Sequence, residues 1–123
     1  MNFTKEEKQI IKNIFNDTED NVLFNKYSLV IKGKVFMYSH HTVLMYDIPS
    51  SILYLPYGLK IVGNGLYPMD EKGYKIDFWD QFRKIKTTSI ERIKDGCYEV
   101  LKMYKDSLIK QKYKNIEKNF EWL

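Results

Sequence analysis

The sequence predicts an α+β fold: an N-terminal helix, an antiparallel β meander of about five strands, and one or two C-terminal amphipathic helices. Three observations predict it. Residues 1–16 and 88–122 place apolar side chains at three-or-four spacing, which marks helices. Residues 22–78 hold short runs rich in Val, Ile, Leu, Phe and Tyr, which mark strands. Gly, Pro and Asn punctuate those runs at intervals too short for crossover helices, which favours hairpins. With 123 residues and no low-complexity linker or internal repeat, the chain reads as a single domain over 1–123.

The first helix has a start signal. Thr4 is a candidate N-cap, and Glu7 three residues later completes a capping box. Ile10, Ile11, Ile14 and Phe15 recur on one face, and residues 16–21, mostly Asn and Asp, break the pattern. Candidate strands follow at 22–24, 27–32, 34–38, 42–46, 52–55, 59–62 and 74–76. Asn64–Gly65 suits a tight hairpin turn. Residues 34–46 read as a hairpin that is apolar on both faces: Val35 and Met37 alternate with Phe36 and Tyr38, and Val43 and Met45 with Leu44 and Tyr46. Such a pair needs cover on both sides, from helices on one and from a second layer, a second subunit or a partner on the other.

In the last third, Thr88 and Glu91 repeat the capping-box spacing, and Ile90, Ile93, Cys97, Leu101, Tyr104 and Leu108 form a core stripe. Gly96, after Asp95, is a candidate end for a short first helix. A second stripe, Ile109, Tyr113, Ile116, Phe120 and Leu123, is centred roughly 140° from the first. One straight helix cannot bury both against one surface. The chain therefore bends near 108–110, or its last fifteen residues pack on the domain's far side, a dimer mate or a target.

Charge is unevenly placed. The net charge is +4, yet residues 1–48 balance six bases with six acids, residues 49–80 hold three bases and four acids, and residues 81–123 hold eleven bases and six acids. Such a skew points to an anionic partner, a nucleic acid or an acidic protein surface, or to a solvated helix face. There is no alanine, 18 lysines face two arginines, and Phe, Tyr, Met, Ile, Asn and Lys make up 61 residues. That usage follows A/T-rich codons and implies an AT-rich bacterial, phage or plasmid genome. Cys97 is the sole cysteine, so an intrachain disulfide is excluded and a reducing, cytoplasmic setting in a bacterial host is expected. No apolar run approaches the length of a membrane span, and no secretory leader is read at the N-terminus.

The chemistry-bearing residues are few. His40 and His41 are the only histidines. In a strand they face opposite sides, and in the turn after Tyr38 they still lack the further ligands that zinc requires. They are read as shaping a contact surface at a hairpin tip. Cys97 falls on a core stripe, where cysteine is inert packing. Between residues 77 and 83, Phe78, Trp79 and Phe82 alternate with Asp77 and Asp80. Paired carboxylates can do acid–base work, but Trp79 and Phe82 read better as buried anchors or, for Trp79, as a contact hot spot. Gly63-Asn64-Gly65 is no phosphate loop, since Pro68 stands where a third glycine is needed. Lys102, Lys105, Lys110, Lys112, Lys114 and Lys118, with Tyr104 and Tyr113 interleaved, make a basic stretch for nucleic acid or protein. Two arginines are a poor complement for base readout, so any nucleic-acid contact is expected to be weak and non-specific. No catalytic set, metal site or cofactor is expected.

Residues 1–85 are also similar, in order of elements, to part of one domain of a bacterial or phage sliding clamp, the processivity factor of DNA polymerase. That family shows a helix, a hairpin with Thr-Asp-Gly-His-Arg-Leu at its turn, and later a Phe-Pro-x-Trp/Tyr segment. Here the turn is Tyr38-Ser39-His40-His41-Thr42-Val43, in which only His41 matches. The later segment is Gly73-Tyr74-Lys75-Ile76-Asp77-Phe78-Trp79, with Ile76 in place of the proline. Clamp chains carry two or three such domains, and the C-terminal helices here have no counterpart. The resemblance implies a stand-alone module of the replication apparatus, and no clamp site carries over.

The function expected from the residues is non-enzymatic binding. The leading expectation is a phage or mobile-element protein that docks on and inhibits a nucleic-acid-processing machine, a nuclease or ribonucleoprotein, as anti-CRISPR proteins do. The alternative is a nucleic-acid-binding or clamp-like replication accessory. A homodimer through the second stripe is a separate expectation.

Overall fold

The computed structural model describes residues 2–121, with side chains described through Lys114. Helix α1 (Lys5–Ile14) starts as its sequence predicts. The Glu7 N–H donates to the Thr4 hydroxyl at 3.1 Å, and the Thr4 N–H donates to the Glu7 carboxylate at 2.8 Å. Two donors orphaned at the helix start are thus satisfied reciprocally. Asp17 then turns the chain: its Oδ2 accepts the N–H groups of Asn21 and Val22, both at 2.7 Å.

Seven strands follow: β1 (Val22–Phe24), β2 (Ser28–Lys32), β3 (Thr42–Asp47), β4 (Ile52–Leu55), β5 (Gly58–Val62), β6 (Gly65–Met69) and β7 (Arg83–Lys86). Five of them form an antiparallel sheet in the order β1-β2-β3-β4-β7. β5 and β6 pair with each other as a separate antiparallel ribbon. Helix α2 (Ile90–Glu121) closes the chain and runs as one continuous helix. No described helix is long and apolar enough to cross a membrane.

The structure corrects several local expectations. Residues 34–38 are not a strand. Gly33–Phe36 forms a 3₁₀ turn, ended by Met37 in the left-handed region at φ 67°. The cause is a tight closure: the Gly33 N–H donates to the His41 carbonyl at 2.7 Å, and a Cβ on Gly33 would sit 2.6 Å from the Ser39 carbonyl oxygen. Only glycine fits this approach. β3 therefore pairs with β2, and its two apolar faces reflect its place in the middle of the sheet. Residues 74–76 give a single bridge, Lys75 opposite Met69. The hairpin loop is Gly63–Asn64, with the positive φ at Gly63, one residue earlier than the Asn64–Gly65 reading. Gly96 does not end a helix but lies inside α2.

The core sits between the helices and one face of the sheet. Cross-strand partners share a face. The row Phe24, Leu29, Tyr46, Leu53 and Ile85 and its neighbours Val22, Ile31, Leu44 and Leu55 turn inward. Ile11 and Phe15 of α1, with Phe3 before it, and Ile93, Cys97 and Val100 of α2 pack on them. A bulge between Ile31 and Lys32 adds Val43 beside Leu44, and both are fully buried. Leu108, expected on the core stripe, is exposed, and Val100 and Ser107 are buried instead. The opposite face carries the row Leu23, Val30, Met45, Tyr54 and Lys84, half-buried in its middle and exposed at its ends.

Two contacts fix α2. A Cβ on Gly96 would lie 3.0 Å from Leu53 Cδ2 and 3.3 Å from Leu55 Cδ2, so the helix rests directly on β4. The buried Tyr46 hydroxyl donates to the Thr87 carbonyl at 2.6 Å, just before the helix. The cap itself is Ser89 rather than Thr88: the Arg92 N–H donates to Ser89 Oγ at 3.3 Å.

Gly96→Leu is expected to lower stability by about 1–3 kcal/mol through overpacking against β4. Gly96→Ala should be close to neutral, because about 1 kcal/mol of helix propensity is offset by the tight Leu53 contact. Urea unfolding midpoints check both. Tyr46→Phe removes the donor to Thr87 and is expected to cost about 1–2 kcal/mol in the same measurement.

Candidate functional site

The segment from Asp70 to Phe82 is held by short-range hydrogen bonds. Asp70 Oδ1 accepts the N–H groups of Lys72 and Tyr74, both at 2.9 Å. The Ile76 N–H donates to the Pro68 carbonyl at 3.0 Å. Gln81 Oε1 accepts the Asp77 N–H at 2.7 Å and the Phe78 N–H at 2.9 Å, which closes a 3₁₀ turn over Trp79–Gln81. This turn buries Phe82 and leaves Trp79 43% and Phe78 71% exposed. Trp79 packs on Phe82, with ring centroids 5.1 Å apart, and meets Tyr54 of β4 edge-on at 5.6 Å. The expectation that both Trp79 and Phe82 are buried thus holds for Phe82 alone.

The facing wall comes from β6 and the segment before β3. His41 packs on Tyr67 with ring centroids 4.3 Å apart and planes tilted by 40°, and Lys75 Nζ lies 3.9 Å from the Tyr67 ring centroid. The Ser39 N–H donates to the Asn64 carbonyl at 2.9 Å and ties this segment to the ribbon turn. Between the walls lies a groove of about 220 Å³, with Pro68, Ile76 and Phe82 along it and Asp77 at its side. His41 and Trp79, 38 positions apart in sequence, therefore line one surface. His40 is exposed and does not line the groove.

A second cleft of about 420 Å³ lies between the ribbon and α2. Lys60, Lys110 and Lys114 and the acids Asp70 and Glu71 line it. Its buried polar side chain, Ser107, donates to the Leu59 carbonyl at 2.7 Å and lies 2.8 Å from the Met103 carbonyl. Asp70 is engaged in its own turn. Among the described residues, no buried polar group is thus left aimed at a ligand in this cleft.

The lysines expected to form one basic stretch divide. All five with described side chains are exposed, but Lys110 and Lys114 line the cleft beside the ribbon, whereas Lys102, Lys105 and Lys112 lie outside it. Tyr113 is 64% exposed. Lys118, with Ile116, Phe120 and Leu123 of the second stripe, lies outside the residues whose side chains are described. Both arginines converge on one carboxylate: Arg83 Nη2 is 2.9 Å and Arg92 Nη2 3.6 Å from Glu99 Oε2.

The thiol of Cys97 is fully buried, and burial pushes it up to about 12, only partly opposed by a backbone hydrogen bond. It is a core group and remote in character from the exposed histidines. Burial also raises the Tyr104 phenol, with the neighbouring Tyr38 adding to the effect. Among the described residues, no three His, Cys, Asp or Glu side chains come together as metal ligands.

Sequence reading missed Tyr54 and Tyr67 as parts of this surface. Tyr54 had no signal beyond strand alternation, and Tyr67 lies in a strand that Pro68 concealed. The chain matches no family model, no curated protein and no solved structure.

Proposed function

We propose that this chain is a non-enzymatic binding protein that docks on a protein partner through the groove between the His41–Tyr67 pair and Trp79. One observation carries the reading: a tryptophan, a phenylalanine, a tyrosine and a histidine gather from separate segments along one groove, whereas exposed aromatics such as Tyr27, Tyr98 and Tyr113 have no place in it. Trp and Tyr dominate the energetics of protein interfaces, and exposed aromatic clusters mark contact sites. The partner we favour is a nucleic-acid-processing machine, a nuclease or ribonucleoprotein that the chain inhibits. That choice rests on the AT-rich residue usage and the small, motif-free character of the chain.

A second reading, weak nucleic-acid binding, is favoured by the exposed Lys102, Lys105 and Lys112 on α2. It is the less supported one, because the remaining lysines of the stretch with described side chains face the ribbon. The clamp-like accessory reading shares its test, since it too requires DNA contact.

Expression of the chain in bacteria whose CRISPR nuclease targets a phage should restore plaques. Trp79→Ala or Tyr67→Ala should abolish the rescue, as loss of an interface hot spot costs about 2–4 kcal/mol of binding. Full rescue by both variants would refute the groove as the docking surface. For the second reading, titration with DNA and RNA at low and moderate salt should show weak affinity that falls steeply with salt. Tight, salt-insensitive binding would make nucleic acid the principal partner.

A further inference from the structure

The groove has a chemistry of its own. Asp77 lines it and Asp80 stands in the adjoining turn, both exposed. Among the described residues neither carboxylate has an ion-pair partner. Lys75, the nearest base in sequence, holds its ammonium over the Tyr67 ring instead. Phe78 has no ring partner among the described residues and offers an open face. The space, about 220 Å³, is below the roughly 300–1,000 Å³ of small-molecule sites and suits a single inserted side chain.

We propose that this groove takes an arginine side chain of a protein partner, with the guanidinium against Phe78 and Trp79 and paired to Asp77. The inference rests on the docking reading above and adds the identity of the anchor. An apolar anchor would cover the Asp77 carboxylate without replacing its water, which is costly. A cation removes that penalty and gains from the aromatic faces. A guanidinium is planar, stacks on rings and forks onto a carboxylate, which an ammonium cannot do. Phosphate groups are disfavoured here because both nearby acids repel them. Proteins that handle nucleic acid carry arginines where they grip phosphates, so an arginine anchor fits the partner class already favoured.

The test uses the full chain with Trp122→Phe, which leaves Trp79 as the sole indole. Blocked tri-arginine, tri-lysine, tri-leucine and tri-glutamate peptides are titrated while Trp79 fluorescence is followed. Tri-arginine should quench saturably, tri-lysine should bind more weakly, and tri-leucine and tri-glutamate should not bind. Asp77→Asn and Phe78→Ala each should weaken tri-arginine about tenfold. Both residues are exposed, and thermal melts of the two variants verify that they fold. No response to tri-arginine, preference for tri-leucine, or unchanged affinity in Asp77→Asn overturns the proposal. The two readings fail separately. Negative titrations with loss of plaque rescue in Trp79→Ala remove the arginine and keep the docking surface. Positive titrations with undiminished rescue keep the arginine site and remove its biological docking role.

Discussion

The close approach of α2 to β4 at Gly96 governs the rest of the molecule. A glycine inside a helix costs about 1 kcal/mol relative to alanine. Here its bare backbone lets the helix settle on Leu53 and Leu55, and Ile93, Cys97 and Val100 around it become fully buried. Each buried side chain of that size contributes about 1.5–3 kcal/mol, so the packing gain outweighs the propensity loss. Three polar ties then fix the helix and the segment leading into it, each from a different strand. Tyr46 of β3 reaches Thr87, Arg83 of β7 reaches Glu99, and Leu59 of β5 accepts from Ser107. The ties set direction and register, while the apolar contact supplies the affinity between layers.

This arrangement explains why the aromatic groove exists. β4 and β7 are hydrogen-bonded neighbours, Leu55 opposite Arg83, yet residues 56–82 intervene. The chain must leave the sheet at β4 and return to nearly the same place. β5 and β6 pair as a ribbon that α2 holds through Ser107, and residues 70–82 bring the chain back. The return path has no layer of its own to cover it. Phe82 finds the core and Trp79 is left against the edge of Tyr54, while Tyr67 on the ribbon is met by His41. The groove is thus the place where an inserted ribbon, a return segment and the central strand's approach converge.

The fold class was legible because periodicity and capping are local. Thr4 with Glu7, and the Ile93–Cys97 stripe, are read from side chains a turn apart and need no knowledge of the tertiary structure. What was not legible depends on contacts across the fold. Residues 34–38 have strand composition, but the Gly33 closure onto His41 overrides it. Gly96 resembles a helix stop until β4 is placed beneath it. β7, Arg-Lys-Ile-Lys, has one apolar residue and is a strand because β4 pairs with it. His41 and Trp79 were both recognised as contact residues, but nothing in their spacing foretold a shared groove.

The charge skew of the last third looked like the functional signature and, once folded, does not form one surface. Arg83 and Arg92 are drawn to Glu99, Lys110 and Lys114 turn toward a cleft that also holds Asp70 and Glu71, and Lys102, Lys105 and Lys112 face elsewhere on α2. Exposed charges are screened over about 10 Å at moderate salt, so cations divided between faces do not act as one patch. Surface ion pairs contribute little individually, typically about 0–1 kcal/mol. Desolvated aromatic contact is the larger effect in interfaces, because it combines apolar area with oriented quadrupoles. The exposed lysines of α2 keep a long, partly apolar helix solvated.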